Sequence, residues 1–277
     1  MQHTEGRFTG YRDFSLYYQS WLPAGKPKAI LLIVHGLGEH SGRYMNIVNY
    51  FVPKGFAIYG FDQQGHGRSE GLRGYAERFS DYLYDLKSFS NKVRSRHREA
   101  KIFIVGHSVG GTIAAAYAVH HQDEFDGLIF SGVTLKPGPS LSPTKILIAR
   151  FLSLLLPKIG IEAIDASTIS RDKAVLEAYT NDPLVYHGKI SARLGAELIR
   201  TMQKLPHQIS RIKLPILIMH GTNDRLCDPE GSKILYERVS SIDKTLKLYD
   251  GFYHEIFKEP GHEKVFADIE EWLTAHT

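Results

Sequence analysis

The feature that most constrains the fold of this chain is a repeated alternation of short apolar runs with amphipathic stretches. The run AILLIV is unbroken, as expected for a strand buried on both faces of a parallel sheet. Strand-like runs occupy residues 14–21, 29–34, 57–61, 101–105, 128–131, 216–219 and 245–249. Helical patterns between them predict β-α-β units, and therefore a mostly parallel central sheet with helices on both faces.

The predicted helices follow the strands and end near glycine or polar residues. They cover residues 43–54, 80–96, 109–120, 229–239 and 263–275. Residues 134–208 interrupt this alternation: they lack strand signals and carry two or three amphipathic helical stretches. We therefore expect an α/β core made of residues 1–133 and 209–277, with residues 134–208 inserted as a helical cap above the carboxyl ends of the strands, where ligands bind in open α/β sheets.

Composition excludes several classes of protein. The chain has 277 residues, of which 43% are hydrophobic and 23% charged, as in ordinary globular domains. The net charge of +4 comes without a basic run, so we expect no nucleic-acid partner. One cysteine, Cys227, cannot form an internal disulfide, and the first residues lack the apolar stretch of a signal peptide, so we expect a cytoplasmic protein.

The motif Gly106-His107-Ser108-Val109-Gly110 matches G-x-S-x-G, a pattern that arises by chance in roughly one such chain in six. Its context is more informative, because it follows the apolar run KIFIV and opens a stretch of small residues, GGTIAAAYA. A nucleophilic serine held in a strained turn between strand and helix leaves no room for a Cβ two positions before or after it. We therefore predict Ser108 as a nucleophile exposed at the sheet edge; the alternative is an ordinary Gly-rich turn.

A serine hydroxyl is a weak nucleophile and needs a base, which in turn needs a carboxylate to orient it. In α/β-hydrolases these follow the serine in the order acid, then histidine, on loops after late strands. Asp224 follows the run ILIM, and His254 follows TLKLY. We predict these two residues as the acid and the base. The competing residues are better explained as helix-start or turn formers; they are Asp228, Asp250 and His262.

The oxyanion of an acyl-transfer reaction needs backbone N–H donors. One is expected from Val109, which follows the nucleophile, and one from Leu37, in the loop His35-Gly36-Leu37-Gly38 after the first central strand. No pair of histidines has metal-ligand spacing, so neither a metal nor another cofactor is expected.

Taken together, several segments resemble the monoacylglycerol lipases across nearly the whole chain. They are HGLGEHSGRY (35–44), FDQQGHGRSEG (61–71), GHSVGG (106–111), IDASTISRDKAVLEAYTNDPL (164–184), GTNDRLCD (221–228) and YDGFYHEIFKE (249–259). The resemblance implies the α/β-hydrolase fold and hydrolysis of a monoglyceride to glycerol and a fatty acid through an acyl-enzyme. It also implies that Glu39 and Arg43 receive the glycerol head and that Tyr179 lines the pocket. An ordinary charge pair and a packing aromatic are the alternatives.

Two positions depart from the mammalian relatives: Phe257 stands where they carry a histidine, and Val109 where they carry a methionine. Head-group recognition is therefore expected to differ. Cys227 matches a cysteine near the active site of the family, which suggests thiol sensitivity, although a small buried hydrophobic residue is the other interpretation.

The stretch from Ser142 to Ile161 contains the apolar section 151–156 and the basic residues Lys145, Arg150 and Lys158. It is too interrupted to span a bilayer, which needs about 20 apolar residues. A surface helix in peripheral contact with a membrane is expected, with packing on the domain as the alternative.

The alternative functions are a lysophospholipase or short-chain carboxylesterase, which would use the same chemistry, and a non-catalytic binding protein on the same fold. Acyl-chain preference and oligomeric state have no signal in the sequence.

Overall fold

A computed structural model describes residues 1–136 and 143–277, without the side chains of Pro143 and Lys145. The role expected for Lys145 at a membrane thus lies outside the described residues. The strands of the main sheet are β1 Gln2–Thr9, β2 Ser15–Leu22, β3 Ile30–Val34, β4 Ala57–Phe61, β5 Ile102–His107 and β6 Gly127–Ser131, followed later in the chain by β9 Ile216–Gly221 and β10 Lys244–Tyr249. Two shorter strands lie between these groups, β7 Gly160–Glu162 and β8 Ile190–Ser191.

The main sheet has eight strands among the described residues, in the order β1-β2-β4-β3-β5-β6-β9-β10. From β4 to β10 all neighbouring strands are parallel, whereas β2 pairs antiparallel with both β1 and β4. The sheet is therefore mostly parallel, as predicted. Its carboxyl edge collects the loops after β3, β5, β9 and β10. These loops carry the predicted nucleophile, acid and base, and they include the loop expected to hold the oxyanion.

The central strands are buried along their whole length, which explains the unbroken apolar runs. The first strand, β1, was not predicted. It has no long apolar run: exposed and half-buried residues alternate along it, because β2 is its partner at the edge of the sheet. Edge strands of this kind give only a weak hydrophobic signal.

Helices cover both faces of the sheet, and each face has its own apolar layer. The helices are α1 Met45–Phe51, α2 Phe79–Arg96, α3 Val109–His121, α4 Pro143–Leu155, α5 Lys173–Asn181, α6 Ala192–Lys204, α7 Glu230–Arg238 and α8 Glu263–His276. In α2, for example, Tyr82, Leu86, Phe89 and Val93 are buried at spacings of three and four residues.

One helix is shorter than predicted. Residues 43–54 were expected to be helical throughout, but the chain forms a 3₁₀ turn over Ser41–Tyr44 and becomes α-helical only from Met45 to Phe51. Pro53 lies just beyond, where its ring prevents continuation of the helix. The early turn matters because it positions Arg43, whose side chain is described below.

The segment between β6 and β9 contains α4, α5 and α6, in agreement with the expected helical stretches. It also contains a two-stranded antiparallel ribbon of β7 and β8, so the expectation that it lacks strands was wrong. These strands are two and three residues long, too short to give a periodic pattern. Backbone hydrogen bonds tie the segment to the carboxyl edge of the sheet, from Tyr186 N–H to Gly38 O (2.8 Å) and from Glu255 N–H to Ile169 O (2.8 Å).

In the described part of the chain, no helix combines the length and apolar character needed to cross a membrane.

Candidate active site

Ser108 occupies a sharp turn between β5 and α3. Its backbone has φ 54° and ψ −123°, a conformation that side-chain-bearing residues rarely adopt. The flanking glycines are required by packing: a Cβ on Gly106 would lie 2.8 Å from Gly111 Cα, and one on Gly110 would lie 2.0 Å from Val34 O. Close approach of the strand, turn and helix therefore explains the glycine spacing in the motif.

The hydroxyl of Ser108 is less exposed than expected. Ser108 is 6% exposed and lies on the wall of a cavity of about 410 Å³. The cavity is lined on one side by the loops at the carboxyl edge of the sheet and on the other by residues of the β6–β9 segment, including Ile164, Tyr179 and Met202. Residues of the β6–β9 segment therefore lie across the cavity from the carboxyl edge of the sheet.

Ser108 Oγ lies 3.3 Å from Thr134 Oγ1, which in turn lies 3.1 Å from Cys227 Sγ. Sequence reasoning did not identify Thr134, which follows β6 at the start of the expected cap. Cys227 is buried, and burial raises the pKa of its thiol well above the usual range. A protonated thiol is a poor nucleophile, so its environment is that of a small buried residue.

His254 and Asp224 are joined directly. His254 Nδ1–H donates to Asp224 Oδ2 at 2.6 Å, and both side chains are buried. His254 Nε2 is also buried and has no hydrogen-bond partner among the described residues. His254 and Ser108 line the same cavity, so the unpartnered nitrogen belongs to the site that contains the serine hydroxyl.

The electrostatics of this pair suit a base that becomes positively charged. Burial alone would raise the pKa of Asp224, but His254 and His220 lower it well below its usual value, so the carboxylate is ionised. Burial would likewise lower the pKa of His254, and the carboxylate of Asp224 raises it above its usual value instead. Asp224 therefore both orients the imidazole and stabilises its protonated form.

His220 is a second partner of Asp224 that sequence reasoning missed. Its Nε2–H donates to Asp224 Oδ2 at 2.9 Å, and its Nδ1 accepts from Ser232 Oγ–H at 2.6 Å. The other carboxylate oxygen, Oδ1, accepts the backbone N–H groups of Leu226 and Cys227. A polar residue at the end of the buried run ILIMH was the available signal for His220.

The loop after β3 lies against the nucleophile. A Cβ on Gly36 would be 3.1 Å from Ser108 Cβ, and Leu37 and Val109 both line the cavity. Val109 is the first residue of α3, so its N–H has no acceptor within the helix. The structure thus brings together the residues from which the oxyanion donors were expected.

Glu39, Arg43 and Tyr179 all lie on the cavity wall. Arg43 Nη1 donates to Glu39 Oε2 at 3.1 Å, and its guanidinium carbon lies 4.7 Å from the centre of the Tyr179 ring. A further residue, Glu255, contacts the same guanidinium with both carboxylate oxygens. It was not identified from the sequence, although it directly follows His254.

The competing acids and the competing histidine lie elsewhere. Asp228 accepts from the N–H of Glu230 at the start of α7, Asp250 accepts from the Thr222 hydroxyl in an exposed turn, and His262 precedes α8. Phe257, a position expected from the sequence to differ from the mammalian enzymes, is buried against Phe266.

A mostly parallel sheet with a serine in the turn after β5 and a histidine–aspartate pair on the loops after β10 and β9 defines the chain as a serine hydrolase with the α/β-hydrolase fold. A family model described as "Serine aminopeptidase, S33" matches residues 25–261. The monoacylglycerol lipase of Mycolicibacterium smegmatis is 34% identical, with 99% of this chain and 98% of that protein covered.

Human monoglyceride lipase is 32% identical, with 95% of this chain and 88% of that protein covered. The solved structure of a soluble variant of Saccharomyces cerevisiae monoglyceride lipase, in complex with a substrate analogue, is 28% identical with a TM-score of 0.90, and covers 100% of this chain and 96% of that one. The chain belongs to the monoacylglycerol lipase family, and it is a serine ester hydrolase. These findings confirm the predicted fold class and family.

Proposed function

We propose that this protein hydrolyses the carboxylic ester of monoacylglycerols to glycerol and a free fatty acid, with Ser108 as nucleophile, His254 as base and Asp224 as the residue that orients it. The observation that carries the proposal is the 2.6 Å hydrogen bond from His254 Nδ1–H to Asp224, which leaves the buried Nε2 unpartnered in the cavity of Ser108. The names of the relatives support the choice of substrate.

In the first half-reaction, Ser108 Oγ turns from Thr134 towards His254 Nε2 and transfers its proton to that nitrogen as it attacks the ester carbonyl carbon. The carbonyl oxygen becomes an oxyanion. The N–H groups of Leu37 and Val109 stabilise it, since both residues line the cavity beside Ser108. Protonated His254 is stabilised by the ionised Asp224, which agrees with the raised pKa of the histidine.

The tetrahedral intermediate collapses when His254 Nε2–H protonates the leaving glycerol oxygen, and the acyl group stays on Ser108. Water then attacks the acyl-enzyme, with His254 again accepting the proton, and the fatty acid leaves as Ser108 Oγ recovers its hydrogen. No other group has to gain or lose a proton.

The cavity supports an amphiphilic substrate with one acyl chain. Its polar end contains Glu39 and Arg43, which would receive the glycerol hydroxyls, with Tyr179 beside them. A second, mostly apolar cavity of about 440 Å³ shares four wall residues with the first, which are Glu162, Ile190, Leu198 and Met202. The two cavities together can hold an extended acyl chain.

We further propose that residues 134–208 form a cap over the site and that α4 contacts membranes. Several apolar side chains of α4 point to solvent: Leu147 is 68% exposed, Phe151 60% and Leu154 74%. A surface helix with such a face gains free energy by burying it at a lipid interface. A lipid-facing cap would deliver a monoacylglycerol from a membrane to the cavity beneath it.

The decisive experiment measures fatty acid release by the purified protein from 1-oleoylglycerol, trioleoylglycerol, 1-oleoyl-lysophosphatidylcholine and a short-chain ester. We expect the monoacylglycerol to have the highest kcat/KM, and the Ser108→Ala variant to release no fatty acid. If the lysophospholipid or the short ester were cleaved preferentially, the proposed substrate would be wrong, but the proposed role of Ser108 would still hold.

A fluorophosphonate probe separates an enzyme from a binding protein on the same fold. The wild type and Ser95→Ala, which removes an exposed serine of α2, should both be labelled, whereas Ser108→Ala should not. An unlabelled wild type would favour the binding role.

Membrane contact is tested by co-sedimentation with phosphatidylcholine vesicles. Wild type and Ile242→Ser, which removes a fully exposed apolar residue outside α4, should bind equally. The double change Phe151→Ser and Leu154→Ser should abolish binding. If the double variant binds as well as the wild type, α4 is not the contact surface.

A further inference from the structure

The polar end of the cavity is built around the guanidinium of Arg43, which lies between two carboxylates. Arg43 Nη1 and Nη2 donate to Glu255 Oε1 and Oε2 at 2.6 and 3.0 Å, in the bidentate arrangement that arginine and carboxylate prefer. Nη1 also donates to Glu39 Oε2 at 3.1 Å. The side chains of Arg43 and Glu255 are only 7% and 6% exposed.

Both carboxylates are held in the ionised form. Burial would raise the pKa of Glu255, but Lys258 and Arg43 lower it below its usual value, and Lys258 Nζ donates to Glu255 Oε2 at 3.1 Å. Glu39 accepts from Gly36 N–H and from the Tyr44 hydroxyl, each at 2.7 Å, and its pKa is also well below the usual value despite burial.

The two carboxylates Glu39 and Glu255 therefore share the single guanidinium of Arg43. Lys258 adds a hydrogen bond to Glu255, although burial lowers the pKa of this lysine. The rest of the cavity wall adds no net positive charge. Its other charged side chains among the described residues are Glu162, Asp165 and Arg225. Both terminal nitrogens of the Arg43 guanidinium therefore already donate to carboxylates when a head group enters, whereas Arg225 is exposed and lies over the Tyr253 ring.

We infer that Glu255 determines the head-group selectivity of the enzyme: by occupying the guanidinium of Arg43, it makes the polar end accept an uncharged polyol and reject a head group that carries a phosphate. A glycerol hydroxyl can donate to the carboxylates of Glu39 and Glu255, whereas a phosphate has only acceptor oxygens to offer them. A phosphate bound here would lie beside both carboxylates, and like charges in a partly dry site repel strongly. The inference rests on the proposed function, because it concerns the same site and the same reaction.

The test compares kcat/KM for 1-oleoylglycerol and for 1-oleoylglycerol 3-phosphate, two esters that differ only in the phosphate. The wild type should prefer the uncharged ester by at least about a hundredfold. Glu255→Gln keeps the size of the side chain and removes its charge, so Arg43 becomes available to a phosphate. This variant should reduce the preference by at least about tenfold.

Asp165→Asn is the matched control, because it removes one negative charge from an exposed part of the same wall that does not contact Arg43. It should change the preference by less than about threefold. An equal change in both variants would mean that the overall charge of the cavity, and not the pairing with Arg43, sets the selectivity. An unchanged preference in Glu255→Gln, with 1-oleoylglycerol still cleaved, would overturn the inference and leave the proposed function intact.

The wild type provides a measurement that does not depend on the variant folding. A non-hydrolysable 1-alkylglycerol ether should inhibit it at least about a hundredfold more strongly than the 3-phosphate of the same ether. Equal inhibition would refute the selectivity. Cleavage of neither oleoyl ester would overturn the proposed function itself, and this inference with it.

Discussion

Replacing Asp224 by asparagine is a sharp test of the proposed mechanism, because the surrounding donors determine which way the new amide must face. Oδ1 of Asp224 accepts the backbone N–H groups of Leu226 and Cys227 at 2.8 and 2.9 Å. An asparagine must keep its carbonyl oxygen there, since an amide nitrogen would set donor against donor. Its Nδ2 then faces Nδ1 of His254, where the wild type has an acceptor.

His254 would have to accept at Nδ1 and carry its proton on Nε2, so it could not take the proton of Ser108. The wrong tautomer costs roughly 10⁴-fold in kcat, or about 5 kcal/mol of transition-state stabilisation. His220 can adapt, because the amide has a second hydrogen for its Nε2 and Ser232 Oγ can accept from its Nδ1. We therefore expect the Asp224→Asn variant to remain folded.

The assay is kcat for fatty acid release from a monoacylglycerol, with thermal unfolding to verify the fold. Asp228→Asn is the matched control: this carboxylate lies four residues further on and pairs with Lys136 at 2.8 Å, outside the hydrogen bonds of His254. It should keep kcat within about threefold of the wild type. The assignment of the acid would be refuted if Asp224→Asn retained a tenth of the wild-type activity. It would also be refuted if Asp228→Asn lost as much activity as Asp224→Asn.

Three further predictions follow from the geometry and charges. Asp224 raises the pKa of His254, and the neutral imidazole is the base. The apparent pKa on the acid side of the pH profile of kcat/KM should therefore lie above the ordinary histidine value of about 6.5. An apparent pKa below that value would contradict the charge assignment. Gly110→Ala would put its Cβ 2.0 Å from Val34 O and should lower the free energy of unfolding by about 3 kcal/mol or more. Gly195→Ala should not lower it, because this glycine is in a helix and its added Cβ would meet a flexible side chain. Equal free energies of unfolding for the two variants in denaturant would show that the serine turn is looser than described. Burial raises the pKa of Asp85 to about 7, so ionisation of this carboxyl removes stability as pH rises from about 4 through 7. Asp85→Asn should therefore be up to about 4 kcal/mol more stable than the wild type at pH 8 but less than about 1 kcal/mol more stable at pH 4. A gain in stability that is independent of pH would disprove this.

The elements that could be predicted from the sequence were those that are buried on both faces. The central strands could be located from the sequence because both of their faces are covered, so nearly every residue in them is apolar. The edge strand β1 has one neighbour and alternating exposure, and β7 and β8 are too short for any period to emerge. The helix expected from residue 43 begins later because the chain first forms a 3₁₀ turn, a local choice that apolar spacing does not report.

The candidate catalytic residues could be named because the topology of the fold restricts where each can stand. The residues that contact them could not be named from the sequence. Thr134 contacts Ser108, 26 positions away, and Glu255 contacts Arg43, 212 positions away. His220 contacts Asp224, four positions away. The sequence near each residue does not predict these contacts. For His220 the sequence offers one signal, a polar residue at the end of a buried strand, but this signal does not show that the residue contacts Asp224.

By itself, the sequence determined the α/β alternation, the strained serine turn and the order of serine, acid and histidine, because these depend on local apolar periodicity, on the absence of a Cβ at two positions and on chain direction. Only the tertiary structure decided how far Ser108 is covered, which donors share the carboxylate of Asp224 and how the charge of Arg43 is balanced. These features arise where loops from distant strands and the inserted segment meet at one edge of the sheet, and their energies depend on distance and burial in three dimensions.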